Sequence, residues 1–270
     1  MTDEEQKKKQ VFYDNTIAEL EEFHLELKDN PEDDFALLQY AKKLEINITI
    51  FGMSGDPDGI DLILQRFRQL VEEYGHIPQI QNLFATALAN SMSYLMKKQK
   101  FDSMYARLEE LRLFARTYPM NLNCQRSLAG GLVNSIINFG QRELMEPVQQ
   151  IINELLILAN AHNENEEIQL ALAKGLVNSM GYLSKHGEFK AAIPLLDELM
   201  SLTDEFPNEE NFVLQRANGI VTALTSFKKK ESEYVDLCEE LNTELEHMAK
   251  IYPDHEGVQL RAKTKTLGRD

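Results

Sequence analysis

One phrase recurs along this chain: Ala87-Leu88-Ala89-Asn90-Ser91-Met92, Gly131-Leu132-Val133-Asn134-Ser135-Ile136 and Gly175-Leu176-Val177-Asn178-Ser179-Met180. A weaker version stands at Gly219-Ile220-Val221-Thr222-Ala223-Leu224. Asn90, Asn134, Asn178 and Thr222 follow one another at 44 residues, and a step of 43 back from Asn90 reaches Asn47 in Leu44-Glu45-Ile46-Asn47-Ile48-Thr49. Five copies in such register point to a repeat architecture, in which each unit buries its apolar face against its neighbours.

Each copy reads outward from this phrase as two helices. In the fourth, helix A spans about 166–185 and helix B about 188–205, with Gly187 between them. Glycine at a helix end takes a left-handed conformation at low cost and so ends the helix. Phe206-Pro207-Asn208 stops helix B, because proline cannot continue it. Tyr118-Pro119 and Tyr252-Pro253 end other copies, and Asn30-Pro31 ends an extra N-terminal helix. Pro194 falls inside helix B, where it is tolerated in the first turns and kinks the helix if deeper. Three residues before the column stand Leu44, Ala87, Gly131, Gly175 and Gly219; five before stand Lys42, Ala85, Ala129, Ala173 and Ala217. A mid-helix glycine costs about 1 kcal/mol against alanine, so its return at one register implies close approach by a neighbouring helix.

Composition agrees with an all-helical, water-soluble chain. Only 8 prolines and 13 glycines interrupt 270 residues, and good helix formers fill most positions. No strand or hairpin pattern stands out. A net charge of -16 argues against nucleic acid, whose phosphates need clustered Lys and Arg. The basic runs Lys7-Lys8-Lys9 and Lys228-Lys229-Lys230 sit beside acidic residues and read as solvated helix ends. Met1-Thr2-Asp3-Glu4-Glu5 has no signal-peptide core, and no run approaches a membrane span. Cys124 and Cys238 have no Cys or His neighbour at ligand spacing, so reduced thiols and a cytoplasmic location are expected.

The stretch Asn178 to Ile193, with Gly181, Tyr182, Gly187-Glu188-Phe189 and Ala192, resembles a tetratricopeptide repeat. Phe101-Asp102 fits the same turn without the glycine, and the third copy reads Gly140-Gln141-Arg142-Glu143-Leu144. That family's period is about 34 residues, so the helices here are longer by a turn or more each. Over most of residues 33–253 the chain is similar to a long-helix variant of the family. The resemblance implies an all-α fold: a single-domain, right-handed α-solenoid of about five hairpins, with helix A lining the concave face. Residues 1–30, with a helix at about 8–28, and a half-repeat at 255–270 would cap its ends.

Nothing in the sequence arranges catalysis. The six histidines are scattered, none at metal-ligand spacing, and no serine or cysteine stands in a nucleophile motif. A non-enzymatic protein with neither metal nor cofactor is expected, holding a protein or peptide. A receptor for a short signalling peptide, or a solenoid self-associating through its ends into a homo-oligomer, are the alternatives. The candidate partner-binding residues are the column Asn47, Asn90, Asn134, Asn178 and Thr222, with Lys43, Lys174, Arg126, Asn82 and Asn218 around it. Asn is a poor helix-interior residue, so its recurrence implies a role. An amide ladder can grip a peptide backbone, as the resemblance implies, or it can bridge helices from a buried position. The cations, with Arg216, either meet acidic groups of a partner or remain exposed charges. Tyr94 and Tyr182 read as packing residues before interface anchors.

Overall fold

The computed structural model describes residues 3–30, 33–227 and 231–266, and among these it is all-α. Pro31 and the run Lys228–Lys230 lie outside the described residues. In chain order the helices are α1 (Asp3–Asp29), α2 (Asp34–Ser54), α3 (Pro57–Tyr74), α4 (Pro78–Lys97), α5 (Phe101–Thr117) and α6 (Leu122–Gln141). They continue as α7 (Met145–Ala161), α8 (Glu166–Lys185), α9 (Phe189–Asp204), α10 (Glu210–Phe227), α11 (Glu231–Ile251) and α12 (Glu256–Thr266). The N-terminal helix begins several residues before the expected position 8. Pro194 sits inside α9, which runs on through it.

The chain divides into two compact units, one ending at Gly131 and one beginning at Leu132, so the division falls within α6. In the first, α1 packs on α2, α2 on α3 and α4, α3 on α4, and α4 on α5. In the second, α7 and α9 pack on α8, α8 on α10, α9 and α11 on α10, and α12 on both α10 and α11. Within each unit the even-numbered helices α2 and α4, and α8, α10 and α12, touch in chain order as well as touching odd-numbered neighbours, the packing of a repeat-like helical array.

Local chemistry sets the helix starts. Asp33 accepts from the backbone N–H of Phe35 and Ala36, both at 3.0 Å, and Asn165 accepts from that of Ile168 at 3.1 Å. Asp56 caps α3 the same way, with Pro57 in its first turn, where the missing N–H is not needed.

The turns after α2, α4, α6 and α8 share one geometry. Gly55, Gln99, Glu143 and Gly187 have φ of 70, 57, 61 and 81°, and they stand 44 residues apart. At each, this residue's N–H bonds three carbonyls back and the next N–H five back: Gly187 to Ser184 and Glu188 to Leu183, Gln99 to Met96 and Lys100 to Leu95. This is the Schellman closure of a helix C-terminus. The glycine absent from the second and third copies is thus replaced by side chains held in left-handed conformation, at about 1 kcal/mol or more each. Gln99 is exposed, so Gln99→Gly is expected to raise stability by up to about 1 kcal/mol, and Gly187→Ala to lower it similarly. Urea unfolding of both variants would measure this; destabilisation by Gln99→Gly would contradict it.

The small-residue column has a packing partner in each unit. A Cβ on Gly131 would stand 2.9 Å from Leu111 Cδ2, and one on Gly175 would stand 2.6 Å from Leu155 Cδ2. One on Gly219 would overlap Leu199 Cδ2. Leu111, Leu155 and Leu199 are fully buried and also recur at 44 residues. The preceding odd-numbered helix presses a leucine into the space of each missing side chain. Tyr94 and Tyr182 pack similarly: their rings lie where a Cβ of Gly52 or Gly140 would be.

Candidate partner-binding site

The asparagine column does not have one environment. Asn47 is buried, and its Nδ2 donates to the Lys43 carbonyl at 2.9 Å, one turn back in α2. That places it with the structural amides of the first unit. Asn90 is half-buried and donates to Glu45 Oε1 at 3.4 Å. In the second unit Asn134, Asn178 and Thr222 are all half-buried. Asn178 Nδ2 donates to the Lys174 carbonyl at 2.9 Å, which leaves one N–H and the side-chain oxygen for other partners. The residue after each of three asparagines is a fully buried serine: Ser91, Ser135 and Ser179. Each asparagine therefore stands at the margin where α4, α6 or α8 turns from core to surface.

Other expected site residues fall in varied places. Asn82 is half-buried, and its Oδ1 is buried without a partner. Asn218 accepts from Arg261 Nε at 2.8 Å and is tied to α12. Lys174 is exposed, while Lys43 pairs with Glu19 at 2.5 Å. Arg126 donates to Asn123 Oδ1 at 3.1 Å. Arg216 is engaged internally with Asp204, with Glu244 and with the carbonyl of Met200. Asn47 lies against the Lys43 backbone and Asn178 against the Lys174 backbone, each one turn along its own helix. Asn138, in the second-unit part of α6, is 1% exposed with both amide atoms unpartnered. It is the least satisfied polar group near the column.

Two features escaped the sequence reading. Gln81, Gln125 and Gln169 recur at 44 residues, nine before the asparagines, and all are buried. Gln125 donates to the carbonyls of Ala115 and Tyr118 at 2.9 and 3.3 Å, and Gln169 to those of Ala159 and His162 at 2.8 and 3.3 Å. Gln259 reaches Ala249 and Tyr252 in the same pattern at 2.7 and 3.1 Å. Each amide adds a donor to carbonyls in the last turn of the preceding helix, where the full helical ladder no longer reaches, and so ties that turn to the next even-numbered helix. The spacing alone was the available signal. The second feature is the turn Lys97-Lys98-Gln99-Lys100, all four exposed.

In the first unit a cavity of about 210 Å³ lies between α1, α2 and α3, lined by His24, Lys28, Tyr40, Arg66, Glu73 and Tyr74 among others. Arg66 Nη2 donates to Glu21 at 2.5 Å, and this bond holds the Glu21 carboxyl below its usual range. Burial pushes the Tyr40 phenol up. Burial also pushes the Cys124 thiol up to about 12, so it stays protonated and unreactive at neutral pH. Among the described residues no group of three or more His, Cys, Asp or Glu side chains is placed to hold a metal. Nor is any helix among them long and apolar enough to cross a membrane. Comparison with protein-family models, with curated proteins and with solved structures finds no match for this chain.

Proposed function

We propose that this chain is a non-catalytic scaffold that holds a protein or peptide on the open faces of its even-numbered helices. In this reading about five tetratricopeptide-like hairpins form a right-handed α-solenoid in the cytoplasm, preorganised so that binding costs little ordering. The observation that carries it is the return of a half-buried amide at one register, Asn90, Asn134 and Asn178, at the core-to-surface margin of successive even-numbered helices. Such an amide pays helix propensity for a polar group at the surface edge. It offers both donor and acceptor to a peptide backbone, independent of the peptide's side chains.

The test begins with a thermal-shift screen of short peptides against the full chain, since a ligand that binds only the folded state raises Tm. For a peptide found this way, Asn134→Ala with Asn178→Ala is expected to weaken binding about tenfold or more, the worth of about 1.4 kcal/mol. The far-ultraviolet circular dichroism stays unchanged. Normal binding by the double variant, or its unfolding, would make these amides structural.

A further inference from the structure

Helix α2 is apolar on two sides. Leu37, Leu44, Ile48 and Phe51 are buried in the first unit. On the opposite side Phe35, Ile46, Ile50 and Met53 are 72, 49, 38 and 79% exposed. At 3.6 residues per turn these four fall within an arc of about 80° that also holds Gln39 and Lys42, between Phe35 and Ile46. Several large apolar side chains exposed along one face are the mark of an interaction surface. At the 44-residue register that the turns at Gly55 and Gln99 keep, the corresponding residues of α4 are Gln79, Asn90, Tyr94 and Lys97, so the stripe belongs to α2 and is not a general property of the array.

The charge at the C-terminal end of the stripe is positive, while Asp33 and Asp34 are exposed at its N-terminal end. Lys42 is exposed within the stripe, and the turn of Lys97, Lys98 and Lys100 stands at the C-terminal end of α2. Contact fixes that placement: the Tyr94 ring packs on Gly52, Lys97 Nζ lies 5.8 Å from that ring's centre, and the Lys98 side chain crosses Gly55. On a chain of net charge -16, an exposed apolar stripe that ends in three exposed lysines selects an acidic partner.

We propose that this face of α2 docks an acidic amphipathic helix of a partner protein. Apolar residues of that helix, one turn apart, lie along Phe35, Ile46, Ile50 and Met53, and Asp or Glu residues at one end meet the lysine turn. This goes beyond the amide-ladder reading: it names a separate docking surface on α2, and its partner's chemistry, that makes no use of Asn134 or Asn178.

The test uses the full chain and a fluorescein-labelled synthetic helix of about three heptads, with leucines on one face and a glutamate run at one end. Anisotropy is expected to show saturable binding that weakens as salt rises. Met53→Glu with Ile46→Glu is expected to weaken it by about tenfold or more, because central apolar contacts dominate such interfaces. Charge reversal at Lys97, Lys98 and Lys100 is expected to weaken it and remove the salt dependence. These side chains are exposed, so the fold is retained, and circular dichroism checks it. Asn134→Ala with Asn178→Ala leaves this binding intact, which separates the two readings. The proposal is overturned if the synthetic helix does not bind, or if a scrambled or lysine-for-glutamate version binds as tightly. Indifference of binding to the α2 variants overturns it too. So does sedimentation showing a dimer that Met53→Glu disperses, which would make the occupant a second copy.

Discussion

Leu155→Ala is expected to lower stability by about 2–5 kcal/mol, and Gly175→Val by about 1–3 kcal/mol, yet the two together by less than their sum. Leu155 is fully buried, and its Cδ2 fills the place where residue 175 would carry a Cβ, at 2.6 Å from it. Truncating the leucine removes its contacts and leaves a void beside Gly175, which Ile152 and Ile136 also border. A valine at 175 in the native background has nowhere to go, because the leucine, with both isoleucines behind it, must shift. In the Leu155→Ala background the valine methyls enter the void. Urea unfolding of the single and double variants forms a cycle. Additivity within about 0.5 kcal/mol would show that the recurrent glycine is not there to admit the leucine.

Gln169→Leu should cost about 1–3 kcal/mol, although leucine is nearly isosteric and more apolar. The reason is what remains after the change. The carbonyls of Ala159 and His162 lose the amide that serves them at 2.8 and 3.3 Å, and no water reaches the site readily because Gln169 is only 5% exposed. Each carbonyl keeps one backbone donor, the His162 N–H at 3.1 Å and the Asn165 N–H at 2.9 Å, so the cost is that of two second hydrogen bonds, about 0.5–1.5 kcal/mol each. Gln169→Glu is expected to be worse at neutral pH, since a carboxylate then faces two carbonyl oxygens. Thermal unfolding followed by circular dichroism would register either change, and a Leu variant as stable as the native chain would rule out the capping role. One copy shows how the role transfers. Val213 occupies the glutamine register there, and Arg216 supplies donors to the Met200 carbonyl and Thr203 hydroxyl at the end of α9.

Much of the fold could be read from residue spacing. Helix α8 has the bounds 166–185 expected from its cap signals, and Gly187 takes the left-handed turn that its type allows. The recurrent small residues do admit a neighbouring helix, through Leu111, Leu155 and Leu199. The second and third turns were harder, because Gln99 and Glu143 have no preference for positive φ. They adopt it because the helices on both sides require the same closure. The candidate site was less legible. The step of 43 from Asn47 to Asn90 misled: the turns at Gly55 and Gln99 are 44 apart, so Asn47 shares the buried register of Ser91, Ser135 and Ser179, and only Asn90, Asn134 and Asn178 form the half-buried column. Arg216 was a candidate cation until the structure showed its partners.

By itself the sequence determined the helices, the 44-residue period and the places where hairpins turn. These depend on propensity, capping and register, which act over a few residues and accumulate along the chain. Only tertiary structure decided which face of each helix is covered. Residue type alone does not say which side the neighbouring helices take: α2 keeps the apolar Ile46 and Met53 in solvent and encloses the polar Asn47, at the register where Ser91, Ser135 and Ser179 are enclosed too.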